Sequence, residues 1–145
     1  MIFSQMKPWI LYAIISMIFA GLTSVIAKMG LSGISGELGL TVRTIFIFVL
    51  VLGFAAFAVP LSQVADLTKN NLFWLGLSGV TTSLSWIFYY KALQDGEVST
   101  IALIDKGSVV VAMVLAFLIL KEQITWRTMA GGALMIAGIF TIARK

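Results

Sequence analysis

Five long apolar runs, separated by short polar connections, fill nearly all of the chain. They span residues 9–29, 38–60, 71–93, 98–120 and 126–143. The hydrocarbon core of a bilayer needs about 20 apolar residues per helix. The runs are too long for strands and do not alternate between apolar and polar positions, as half-buried strands do. The pattern predicts an all-α integral membrane protein with five transmembrane helices.

The composition indicates that lipid surrounds most of the chain. Of its 145 residues, 60% are hydrophobic and 11% are charged, whereas a soluble domain has about 25% charged residues. Cysteine and histidine are both absent. We therefore expect no disulfide, no metal or other cofactor and no enzyme activity, because the usual metal ligands, thiol nucleophiles and imidazole bases are missing.

The net charge of +4 comes without a basic run or patch. Such a footprint is what nucleic-acid binding requires, so nucleic acid is not an expected partner. The partners that we expect are the lipid bilayer and a small-molecule substrate. The predicted location is the cytoplasmic (inner) membrane, which the chain crosses several times.

Basic residues at the span ends give no preferred orientation. With five spans the termini lie on opposite sides, and equal numbers of basic residues fall near the ends on each side. They are Lys7, Lys69, Lys121 and Arg127 on the N-terminal side, and Lys28, Lys91, Arg144 and Lys145 on the other. Because the positive-inside rule depends on a Lys/Arg bias, we expect the chain to insert both ways.

Three charged residues lie well inside predicted spans. Asp105 and Lys106 are adjacent in the fourth span, and Arg43 lies near the start of the second. A charge there costs about 3 kcal/mol on insertion scales, so it usually faces a bundle interior, a partner charge or a wet cavity. Adjacent helical positions point about 100° apart. We therefore expect Asp105 to pair with Arg43 or Lys28, and Lys106 to turn elsewhere; an ion pair that only locks the bundle is the alternative.

The third span adds a polar stripe and two aromatic residues. The stripe consists of Ser78, Thr82, Ser85 and Tyr89, with Gly79, Ser83, Trp86 and Tyr90 beside it. It could line a substrate path, where Trp86 and Tyr90 offer flat faces to an organic or cationic ligand. Helix packing and interface anchoring are the alternatives for the stripe, whereas the depth of Trp86 favours a cavity. The candidate substrate or gating residues are Arg43, Asp105, Lys106, Trp86, Tyr90, Lys28, Ser85 and Thr82.

Five sequence segments from the five spans form a recognisable set. They are AKMGL, VRT, SGVTTSLSWIFYYKAL, GEVSTIALIDKGSVV and LKEQITWRTMAGGALMIAGIF. Together they resemble the EamA-like branch of the drug/metabolite transporter superfamily, in its short five-helix form. They cover nearly the whole chain in order, so residues 1–145 are expected to form one EamA-like transmembrane domain. Family members often have Gly-Glu where this chain has Lys121-Glu122.

The resemblance implies half of a ten-helix architecture. Longer relatives look like two such units fused in inverted orientation, which carry metabolites such as amino acids or other small organic molecules; inverted repeats are a recurring transporter design. This implies a secondary transporter or exporter that works by alternating access, here as an antiparallel homodimer. Asp105 is then the leading gating or proton-coupling carboxylate, with Glu97 second, and the basic excess leaves room for an anionic or zwitterionic substrate. The alternative is a non-transporting membrane subunit, for example a flippase component.

Overall fold

The computed structural model describes residues 7–143, and all regular elements in this range are α-helices. The helices are α1 (Pro8–Gly30), α2 (Gly36–Ala58), α3 (Leu61–Val64), α4 (Lys69–Asp95), α5 (Val98–Asp105), α6 (Ser108–Ile119) and α7 (Trp126–Ala143). By length and composition, α1, α2, α4 and the consecutive α5 and α6 could cross a membrane, and α7 is a shorter apolar helix. The predicted all-α membrane fold is confirmed. Arg144 and Lys145, counted above among the helix-end charges, lie outside the described residues.

Most helix ends match the prediction because polar or turn-forming residues flank the apolar runs. α1 extends one residue beyond the prediction at each end, and α4 extends two. α2 begins two residues early because Ser35 caps it: the Ser35 side chain accepts a hydrogen bond from the N–H of Leu38 at 3.3 Å. α2 ends before Pro60, which cannot continue a helical hydrogen-bond ladder. The connection to α4 contains α3, a single turn that was not predicted.

The fourth predicted span corresponds to Val98–Ile119, and it contains a short interruption that was not predicted. Lys106 and Gly107 separate α5 from α6. The N–H of Gly107 donates to the carbonyl of Ile104 at 2.9 Å, three residues back rather than four, which is the tighter 3₁₀ pattern. A Cβ on Gly107 would lie 2.9 Å from that carbonyl oxygen and 3.0 Å from Ile139 Cδ1. The turn therefore favours glycine, because a Cβ there would crowd the Ile104 carbonyl and the tip of Ile139 in α7.

The described chain forms two compact units. Unit 1 takes in the chain up to Val25 and again from Gly96, and unit 2 takes in Ile26–Asp95. In unit 1, α7 packs against both α5 and α6. In unit 2, α2 and α4 form the main helix pair.

Most large apolar side chains of the described helices are exposed, as expected where lipid replaces water. The hydrophobic residues that are buried among those described are Leu31, Tyr90 and Leu93. All three belong to unit 2: Leu31 follows α1 and lies against Gly39 of α2, and Tyr90 and Leu93 lie in the last turns of α4. A helix that is apolar on all sides is typical of a membrane span. The few described hydrophobic residues that are buried all lie in unit 2.

The close approach of α2 to α4 depends on Gly36. A Cβ on Gly36 would lie 2.9 Å from the carbonyl oxygen of Tyr90, and the N–H of Gly36 donates to Gln94 Oε1 at 3.1 Å. Lys28 closes the same end, because its Nζ donates to the carbonyls of Leu93 and Gln94. The last carbonyls of a helix have no partner within it, so Lys28 supplies donors that α4 lacks.

Candidate functional site

A cavity of about 550 Å³ lies between α2 and α4 in unit 2. Ligand cavities in proteins measure roughly 300–1,000 Å³, so this one has room for a small organic molecule. Most of its lining comes from successive turns of α2, with one face of α4 opposite. The lining residues are Gly36, Glu37, Leu40, Thr41, Thr44 and Ile45 from α2, and Ser83, Trp86, Ile87 and Lys91 from α4.

Three hydroxyl groups in the cavity wall donate to their own helices. Thr41 Oγ1 and Thr44 Oγ1 each lie 2.8 Å from the carbonyl oxygen four residues earlier, and Ser83 Oγ lies 2.9 Å from the equivalent oxygen in α4. A hydroxyl has one proton to donate and two lone pairs that accept. These side chains therefore offer acceptors to a ligand, while their protons are already engaged.

Arg43 lies over aromatic rings at this site. Its Cζ is 4.4 Å from the ring centroid of Trp86, a cavity-lining residue, and 5.7 Å from that of Tyr90. Both distances lie within the roughly 6 Å range of a cation–π contact. The Tyr90 side chain is buried, with 3% of its surface exposed. The rings thus hold the guanidinium group beside the cavity wall.

An ion pair joins the two cavity walls. Lys91 Nζ of α4 lies 3.6 Å from Glu37 Oε1 of α2, and their side chains are 55% and 61% exposed. Exposed ion pairs contribute about 0–1 kcal/mol to stability. This pair can therefore open and close at little energetic cost, and its main effect is on the charge presented to the cavity.

In unit 1, Asp105 and Lys106 contact each other at the break between α5 and α6. Asp105 Oδ2 lies 3.6 Å from Lys106 Nζ, so the expectation that Lys106 turns away was wrong. The regular helix ends at Asp105, and the flexible side chain of Lys106 folds back towards it. The predicted pairing of Asp105 with Arg43 or Lys28 joins residues of different units and stays a prediction.

A smaller cavity of about 290 Å³ also borders Lys106. The other residues that line it are apolar and come from α5 and α7. They are Leu103, Leu134, Met135, Gly138 and Ile139. The cavity is small, and among its lining residues only Lys106 carries a polar side chain, so we place the candidate site in unit 2.

The structure separates the sequence candidates on α4. Thr82 and Ser85 are exposed and do not line the cavity, whereas Ser83 and Trp86 from the neighbouring row do. The row beside the polar stripe therefore faces α2. The side chain of Lys28, from α1, reaches the end of α4, where its Nζ donates to main-chain carbonyls.

Sequence reasoning missed the contribution of α2 apart from Arg43. Glu37, Thr41 and Thr44 recur at spacings of four and three residues, which places them on one helical face. That spacing is a visible signal of a polar lining. The signal is weak because the run around these residues is strongly apolar, and Arg43 is the one basic residue within it.

Comparison with known proteins finds similarity to membrane transporters. Residues 7–144 match the EamA-like transporter family. The chain is also 30% identical over 137 residues to an uncharacterized transporter in the cobO 3′ region of a Sinorhizobium species, covering 94% of this chain and 97% of that protein. No solved protein structure matches the chain.

Proposed function

This chain belongs to the EamA-like transporter family, and we propose that it is a secondary transporter that moves a small organic solute across the cytoplasmic membrane. We propose further that it works by alternating access as an antiparallel homodimer. The membrane character and the transporter family are the premise. The solute, the mechanism and the assembly are the new parts of the proposal.

The cavity in unit 2 is the observation that carries the proposal. It combines apolar walls with a few polar groups, namely three hydroxyls and one ion pair. Arg43 does not line the cavity itself, but it contacts the ring of Trp86, which does. Small-molecule sites typically have this composition, in which apolar area binds the ligand and sparse polar groups orient it. In a chain that is otherwise exposed to lipid, a cavity of this kind favours solute binding over a purely structural role.

Charge distribution supports the antiparallel homodimer. Basic residues at the predicted helix ends are balanced between the two sides, so the positive-inside rule gives no single orientation. Two copies inserted in opposite directions would reproduce the inverted symmetry that many carriers use. In such a dimer, each copy would present its unit 2 cavity towards an opposite membrane face.

Transport by the purified protein in liposomes tests the function. The liposomes would be screened with labelled organic anions, cations and neutral solutes of a size that fits the cavity. Trp86→Ala should lower transport of any accepted solute at least ten-fold. Trp74→Ala is the matched control, because Trp74 lies on the same helix, is 58% exposed and does not line the cavity.

Two results would count against this function. Equal transport by the Trp86 and Trp74 variants would remove the cavity from the mechanism. Transport that begins only after a second polypeptide is added would favour the alternative, a membrane subunit that serves another protein.

Cysteine labelling tests the dual orientation, using the absence of native cysteine. Single cysteines at Ser32, between α1 and α2, and at Gln123, between α6 and α7, would be exposed to a membrane-impermeant thiol reagent in intact cells. Dual insertion predicts that about half of each population is labelled from outside. Labelling of one position in all molecules, and of the other in none, would exclude the antiparallel homodimer.

A further inference from the structure

The hydrogen-bond donors of Arg43 are unused within the described structure. Its contacts are with the faces of Trp86 and Tyr90. A ring face attracts the positive charge, but it does not replace the oxygen atoms that would accept hydrogen bonds from the guanidinium N–H groups. The ion pairs of Lys91 with Glu37 and of Lys106 with Asp105 do not include Arg43. A guanidinium group carries five N–H donors, and polar groups shielded from water need partners. A ligand with acceptor atoms would supply them.

The charges around the cavity leave Arg43 uncompensated. Glu37 is the acidic residue in the cavity lining, and it already contacts Lys91 at 3.6 Å. These two charges cancel locally. Arg43 is not a lining residue, but its guanidinium group lies against Trp86, which is one, so its positive charge is the nearest uncompensated charge to the cavity. The complementary ligand is therefore an anion.

The other lining residues indicate which groups the rest of this ligand would carry. Leu40, Ile45 and Ile87 provide apolar surface, and Trp86 provides a flat ring. An arginine fork matches the two oxygens of a carboxylate in a bidentate geometry. We infer that Arg43 is the anion-recognition residue of this cavity, and that the transported solute is a small organic carboxylate with an apolar or aromatic body. This inference rests on the proposed function.

Trp86 offers a direct readout of binding, because a carboxylate on Arg43 would alter the cation–π contact with the ring. Replacing Trp9, Trp74 and Trp126 by phenylalanine leaves Trp86 as the single fluorophore. The protein, in detergent free of phospholipid, would be titrated with benzoate, benzamide and benzylamine. These probes share a ring but carry a negative, a neutral and a positive group.

Benzoate should change Trp86 fluorescence in a saturable manner, with a dissociation constant at least ten-fold lower than those of benzamide and benzylamine. Arg43→Gln should abolish this preference for the anion. Arg43→Lys should recover only part of it, because an ammonium group lacks the bidentate fork. Arg127→Gln, which removes an exposed arginine of unit 1, is the matched control and should bind benzoate normally. If the Arg43 variants fold poorly, the affinities of the three probes for the protein that retains Arg43 still test the preference for the anion.

Equal binding of the three probes, or benzoate binding that survives Arg43→Gln, would overturn the inference. A lipid phosphate is the competing partner for an arginine near a membrane surface. Saturable binding of glycerol phosphate without binding of benzoate would therefore identify Arg43 as a lipid contact and overturn the inference.

The transport assay separates this inference from the proposed function. Trp86-dependent transport of cations or neutral solutes alone would retain the transporter and reject the carboxylate. Arg43-dependent benzoate binding without transport of any solute would retain the recognition site and reject the carrier.

Discussion

Replacing Gly36 by alanine should destabilise unit 2, because it adds an atom at the closest approach of α2 and α4. The new Cβ would lie 2.9 Å from the carbonyl oxygen of Tyr90 and 3.2 Å from Gln94 Oε1. The nearer contact is with main chain, which cannot move as a flexible side-chain tip can. One of the two helices must therefore shift.

The magnitude follows from two opposing effects. Overpacking a tight contact costs about 1–3 kcal/mol, whereas exchanging glycine for alanine within a helix gains roughly 0.5–1 kcal/mol. The gain is smaller at Gly36, which is the first residue of α2, so we expect a net loss of about 1–2 kcal/mol. Gly53→Ala is the matched control in the same helix. Its Cβ would meet no atom within 4 Å, so only the favourable effect remains.

Thermal unfolding of both variants in detergent, followed by tryptophan fluorescence, measures the difference. At about 2–4 °C per kcal/mol for a chain of this size, Gly36→Ala should melt several degrees below the unsubstituted protein. Gly53→Ala should melt at or slightly above it. If Gly36→Ala melted at the same temperature as Gly53→Ala, the close approach of α2 and α4 would not exist in the folded protein.

Local geometry supports three further predictions. Lys121 has a φ of +58°, a conformation that costs an ordinary residue about 1–2 kcal/mol, so Lys121→Gly should raise the melting temperature; a lower value would refute the strained turn. The exposed pair of Glu37 and Lys91 predicts that the swap Glu37→Lys with Lys91→Glu changes unfolding free energy by less than about 1 kcal/mol. Glu37→Lys alone should reduce liposome transport, and the double swap should restore it. If the double swap does not restore transport, the ion pair has no role in transport. Ser35→Ala should cost about 1 kcal/mol by removing a helix cap, whereas Ser32→Ala in the same loop should be neutral in the same melting assay; equal losses would argue against the cap.

The helix positions could be predicted from the sequence because each apolar run ends at polar or turn-forming residues. The interruption at Gly107 could not be predicted in this way. Hydropathy depends on side-chain composition, which is equally apolar on both sides of the break, whereas the break is defined by main-chain hydrogen bonds. Gly107 can be read from the sequence, but the contact with Ile139 of α7 that leaves little room for a side chain there depends on tertiary packing.

Part of the candidate site was also accessible from the sequence. Arg43 and Trp86 stand out because a charge and a large indole ring are both unusual within an apolar span. The sequence could not decide which row of α4 faces α2, since Thr82 and Ser83 are adjacent residues that differ by about 100° around the helix. The contact between Gly36 and the main chain of Tyr90 decides it, and that contact depends on tertiary packing.

The cavity wall also bears on the return step of a transport cycle. Its three hydroxyls are bonded to their own helices, whereas the guanidinium donors of Arg43 have no acceptor among the described residues. A charge within a membrane is costly without a partner. In the carrier that we propose, Arg43 without its anion would therefore slow reorientation, and a second anion would accelerate the step. A carrier with this wall would favour exchange of one anion for another over net export.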